Sequence, residues 1–221
     1  MRRVAVFAMA LFTFTLTIPL FAQKQFSAEF VDSGKQTQFN RAKIYVGDHK
    51  FRIEPAAAGA DAMTPTALIL DGAGKNSFAV VDSQKVVIQN LFNGPASSAF
   101  LPVAMATLDL NDPCGSINRW DEEHHHASRD TQLTNCKNLG TEHVNGRTAT
   151  KWQATNGRGQ TGYFWLDPEL HFMIKADTAD GSHMNLENIK EGTQPESLFE
   201  PPAGYRVMTM QQMMHEQMGK R

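Results

Sequence analysis

Cysteine is scarce in this chain. Two residues in 221, Cys114 and Cys136, stand alone. No Cys-x-x-Cys pair exists, which excludes the usual dithiol redox motif. In an oxidising compartment an isolated pair is most simply one disulfide; free thiols or metal ligands are the alternative. Basic clusters are missing too. The 21 Lys and Arg are scattered among 23 Asp and Glu. Nucleic acid is thereby excluded as a partner, because phosphate neutralisation needs clustered cations. The chain also lacks Gly-x-Ser-x-Gly, His-Glu-x-x-His, a phosphate loop and a dinucleotide fingerprint. Gly157 and Gly159 sit in Asn-Gly-Arg-Gly between strand-like runs, which is turn chemistry rather than a phosphate cradle. No catalytic residue and no cofactor is nominated, and the chain reads as a binding protein rather than an enzyme. No internal repeat of fixed period is present.

One long apolar run is present, at the N-terminus. Arg2 and Arg3 precede an uncharged stretch from Val4 to Leu20, and Ala22 supplies a small residue at a cleavage point. This is the three-part pattern of a secretory signal peptide, with residues 1–22 removed. A retained membrane helix is the competing reading, and the run is at the short limit for spanning a bilayer. The leader holds no cysteine for lipid attachment, so the expected product is free in the periplasm or secreted, without a transmembrane anchor. Cleavage removes two of the 21 bases and none of the 23 acids, making the mature chain slightly more acidic than the full chain's −2.

The rest is dominated by a period of two. Phe26, Ala28 and Phe30 alternate with Ser27 and Glu29; Phe51 and Ile53 alternate with Lys50, Arg52 and Glu54. Alternation of this kind marks half-buried strands. Gly47-Asp48 and Asn145-Gly146 are hairpin signals, the second the strongest in the chain. Short runs at 67–71, 76–82 and 85–91 form a meander. Further runs fall at 137–144, 147–155, 161–166, 171–177 and 183–189. Residues 96–110 are read as a short helix or lid, 112–134 as polar and irregular, and 196–199 as one helical turn. The predicted fold is mainly β (α+β): a large, curved antiparallel sheet or incomplete barrel of about eleven strands, with a few short helices as lid. Residues 23–207 form one domain, and 208–221 are a methionine-rich tail that is helical in this reading.

Three groups of residues are candidates for a site. Phe26, Phe30, Phe51, Phe78, Trp152, Trp165 and Phe172 all fall on predicted strands. A sheet with so little helix has more apolar face than it readily covers, which points to an apolar cavity for a lipid or acyl chain; ordinary core packing is the alternative. His124 and His126, alternate residues in Asp121–His126, suit zinc, copper or nickel, against a solvated polar loop. Met208, Met210, Met213, Met214 and Met218 are five of the 11 methionines. Thioethers suit Cu(I), but they also pack adaptably in a terminal helix.

Several segments resemble a family of exported bacterial domains: Lys43–Glu54, then Val144–Trp152 with Trp165-Leu166-Asp167, then Leu198–Tyr205. That family is similar to the superfamily of periplasmic outer-membrane lipoprotein carriers, the LolA/LolB-like proteins. The resemblance implies an incomplete antiparallel barrel around an apolar cavity, with short helices as lid and acyl chains of lipid or lipoprotein inside. The carrier proper regulates its lid with an arginine on the first strand. Gln25–Asp32 has none here, and Arg41 on the next strand is not assigned that role. A metal-binding envelope protein and an envelope interaction domain without a small ligand are the alternative functions.

Overall fold

The computed structural model describes residues 24–34, 40–56, 64–71, 76–90, 108–125, 130 and 132–218. The leader, residues 96–107 of the predicted lid and His126 lie outside the described residues. Twelve strands form one sheet: β1 (Phe26–Asp32), β2 (Arg41–Val46), β3 (Lys50–Pro55), β4 (Ala67–Asp71), β5 (Asn76–Val81), β6 (Val86–Gln89), β7 (Leu133–Val144), β8 (Arg147–Asn156), β9 (Thr161–Asp167), β10 (Phe172–Asp177), β11 (His183–Glu191) and β12 (Arg206–Thr209). Their order is β12-β6-β5-β4-β3-β2-β1-β11-β10-β9-β8-β7, with both ends open. Neighbours are antiparallel except β12, which runs parallel to β6. The predicted antiparallel sheet of about eleven strands is therefore an open, curved, mixed sheet of twelve.

Turn chemistry acts where expected. Asn145 and Gly146 both take positive φ, 52° and 79°, as the tight turn between β7 and β8 requires. Asn188 also has positive φ, 51°, where the β1–β11 register shifts; asparagine tolerates that conformation better than most residues.

Register sorts the side chains onto two faces. Phe26 pairs with Val46, Val46 with Phe51, and Phe51 with Leu70, so all four share one face. Tyr45, Arg52, Ile69 and Phe78 are successive partners on the other. The first face carries the main core and the second a smaller one. In the smaller core Phe199, from the one-turn helix Glu196–Phe199, packs with Ile69, Val80 and Val87. A Cβ on Gly47 would lie 2.8 Å from the Phe199 ring, so glycine lets that helix sit close to the sheet.

The main face is concave. Phe51 on β3 stacks on Phe172 of β10, ring centroids 6.4 Å apart, although β2, β1 and β11 lie between them. In a flat sheet four strand intervals would separate them by roughly 19 Å. Phe26 completes the cluster, edge-on to Phe172 at 5.3 Å.

Residues 112–134, expected to be irregular, contain helix α1 (Pro113–His125). Asp112 caps it, accepting a bond from Gly115 N at 3.0 Å, and Pro113 occupies the first helical position, where its missing N–H costs nothing. Cys114 forms a disulfide with Cys136 on β7, Cα atoms 6.1 Å apart. Loop closure over this span is worth about 3 kcal/mol. Asn118 adds a second clamp: its Nδ2 donates to Leu133 O and its Oδ1 accepts from Leu133 N, both at 2.8 Å. Helix α1 is thus fixed to the start of β7, with Cys114 and Ile117 against the main core. Helix α2 (Met210–Met218) closes the described chain. Thr209 and Gln212 cap it reciprocally, in a capping-box arrangement.

Candidate functional site

The seven aromatics do not share one face. Phe26, Phe30, Phe51 and Phe172 are buried in the main core, and Trp152 packs against it. Trp152 stacks on Phe164 at 6.4 Å. Register continues this face through Phe30–Leu186, Met184–Ala176, Ala176–Phe164 and Phe164–Trp152. Phe78 belongs to the smaller core on the opposite face. Alternation puts it there: its register partners are Ile69 and Gln89. Trp165 takes the alternate position to Phe164, with Lys151 and Lys175 as partners. It is buried, but under ammonium groups: Lys175 Nζ lies 4.1 Å and Lys151 Nζ 4.9 Å from its ring centroid. Its Nε1 donates to Glu142 at 2.7 Å. The candidates gathered in the main core are therefore Phe26, Phe30, Phe51, Phe172 and Trp165, which joins it from beneath the two lysines, with Trp152 and part of α1 packed against it.

Sequence reasoning missed the polar network at the β8 end of this region. Arg147 binds Asp167, Glu191 at 2.7 Å and Glu169 at 3.6 Å. Asp167 is 1% exposed. Its Oδ1 also accepts from the backbone N–H of Glu169 and Leu170. Asn145 reaches β11, donating to Asn185 Oδ1 at 2.8 Å and Leu186 O at 2.7 Å. Two strands lie between β8 and β11 in the sheet order, so the hairpin tip is held over them by side-chain bonds. No spacing in the sequence announces partners drawn from separate strands.

Two clefts stand out, the first mostly polar and the second mixed. One of about 550 Å³ is lined by Glu142, Asn145, Lys175, Asp177, His183 and Asn185, among others. The other, about 330 Å³, includes Glu29, Phe30, Arg41, Lys43 and Glu54. Arg41 lies 3.8 Å from Glu29 and 4.0 Å from Glu187. Among the described residues no group of three or more His, Cys, Asp and Glu is placed to hold a metal. His124 lies on α1, and His126 is outside the described residues. Met208 is buried on β12, whereas Met210 and Met214 are exposed one turn apart on α2. No described helix is long and apolar enough to cross a membrane.

Three of these acids, Glu142, Asp177 and Glu191, titrate low. Hydrogen bonds from Trp165 and then Lys151 hold Glu142 below its ordinary 4.5. Those from Arg147 and Lys24 do the same for Glu191. Burial pushes Asp177 up, but the bonds and charges of His183 and Lys175 outweigh it and hold it below 3.8. A depressed folded value means stability that is present above the unfolded value and lost as pH falls through the folded one. Thermal midpoints are therefore expected to stay level down to about pH 5 and to fall below it as these carboxylates protonate. Glu191→Gln is expected to flatten that acid limb. A variant with the same pH slope as wild type would remove Glu191 from the account.

The fold and its roofed apolar face define a class: an open, curled β-sheet that carries aromatics on its concave side. No family model matches the chain, and no curated protein matches it. Among solved structures, an uncharacterized conserved protein from Thermus thermophilus is similar over 86% of this chain and 92% of that one. Its TM-score is 0.50 at 10% identity, a likeness of fold alone. The Pseudomonas aeruginosa MucA/MucB complex gives 0.39 at 16% identity, over 86% of this chain and 60% of that one. A LolA superfamily protein from Nitrosomonas europaea gives 0.31 at 11% identity, over 80% and 90%.

Proposed function

We propose that this chain is an exported periplasmic binding or carrier protein, and that the concave apolar face of its sheet receives a lipid or an acyl chain. The observation that carries the reading is the meeting of Phe51 and Phe172 across that face. The curled apolar face and helix α1, which the disulfide tethers against the same core, support this reading. The disulfide favours an oxidising compartment, in keeping with removal of residues 1–22 as a leader. Residues 23–207 form the binding domain in this reading, without catalytic residues or cofactor.

Mass spectrometry of the natively purified mature protein, after organic extraction, tests the proposal. Acyl-bearing lipid is expected at near one molecule per chain, and stripped protein is expected to rebind palmitate saturably. A protein that carries no lipid and takes up no palmitate would refute the reading. The exposed pair Met210 and Met214 supports copper binding as a second reading. Saturable Cu(I) uptake lost in Met210→Leu/Met214→Leu is the outcome it requires.

A further inference from the structure

One buried donor on the apolar face lacks an acceptor. Trp152 Nε1 is buried and has no hydrogen-bond partner among the described residues. An indole N–H in that condition carries an uncompensated desolvation cost, and buried donors in folded proteins nearly always find a partner. Trp165 shows the ordinary outcome in the same chain, with its Nε1 bonded to Glu142 at 2.7 Å. The ring of Trp152 is held rather than loose. It stacks on Phe164 with planes 6° apart, opposite Asn138 of β7. The next pair along this face is Cys136 with Ala154, so the indole sits beside the disulfide that anchors α1. The donor therefore belongs to a built apolar surface with a fixed roof.

We infer that Trp152 Nε1 is the polar anchor of the apolar site and donates to the carbonyl or carboxylate oxygen at the head of an acyl ligand. This rests on the acyl-chain reading above and adds an orientation to it. The head lies at the α1 end of the sheet, against Trp152. An alkane has no acceptor for the indole and forfeits this bond. Fatty acids and their esters keep it.

Equilibrium dialysis with laurate, methyl laurate and dodecane tests the anchor on wild type and Trp152→Phe. Wild type is expected to take up all three. The variant is expected to lose roughly three- to tenfold in affinity for methyl laurate, the range of one neutral hydrogen bond, more than that for the charged carboxylate of laurate, and less than twofold for dodecane. The indole N–H resonance of Trp152 in wild-type protein supplies a readout that needs no variant. It is expected to move downfield with laurate and to stay in place with dodecane. Equal losses for all three ligands, or no loss, would overturn the anchor and leave the apolar site standing, with a water molecule on the indole. Wild type that binds none of the three would overturn both.

Discussion

Phe172→Ala is expected to lower the stability of the fold by about 3–5 kcal/mol, the usual cost of emptying an aromatic site in a core. Phe172 is fully buried and touches both Phe26 and Phe51. Those rings come from β1 and β3, while Phe172 comes from β10, so one side chain joins the two halves of the sheet. Its loss opens a cavity at the point where the curl closes, where backbone relaxation is restricted. Urea denaturation of the oxidised protein checks this, with Phe78→Ala as the comparison. Phe78 is only partly buried, on the opposite face, and a distinctly smaller loss is expected. Equal losses at the two positions, or a loss under about 1 kcal/mol at Phe172, would contradict the joining role assigned to it.

Arg147→Ala is expected to cost about 3–5 kcal/mol for a different reason. The substitution leaves Asp167, 1% exposed, with its charge uncompensated, and an unpaired buried charge is far costlier than a lost surface pair. Burial pushes the Arg147 guanidinium down, and its bonds to Asp167 and Glu191 outweigh that and raise it, so the group stays charged throughout. The double variant Arg147→Met/Asp167→Asn separates the two contributions. It removes both charges and keeps an oxygen at position 167 for the N–H groups of Glu169 and Leu170. It is expected to recover much of the loss. A double variant as unstable as Arg147→Ala would show that the arginine acts through its packing and its other acids.

Period-two alternation makes most of the strands legible, because a half-buried strand writes its two faces directly into the residue order. Asn145-Gly146 is legible for the same kind of local reason. The side of the sheet on which an aromatic falls is another matter. Phe78 and Trp165 read like Phe51 and Phe172 in sequence, but their faces depend on register with strands far away. Phe78 also has buried residues following it, since Ala79 and Val80 are both buried, and alternation is blurred there. Helix α1 escapes a reading by periodicity because its sequence is mostly polar and it meets the core through few residues. Its start is nevertheless written as Asp112-Pro113, a cap followed by a first-turn proline. Strand β12 escapes because it is four residues long and pairs in parallel, a choice that no local turn dictates. The acceptor-free indole of Trp152 is invisible to any reading of residue order, since it depends on where every neighbouring oxygen lies.

The position of β1 has a consequence for how the chain reaches this state. Its partners are β2, a short distance away in the chain, and β11, at Phe26–Glu191 and Asp32–Met184. The earliest strand thus lies in the middle of the sheet, and one of its two ladders cannot form until residues 183–191 are present. Contacts of such large sequence separation must be reached before they contribute, and they slow folding. Until then β1 and the meander that follows it lack the other wall of their own core. Phe172 is among the residues that must arrive. The curl is therefore a late event, and a chain interrupted before β11 has two half-sheets and no concave face.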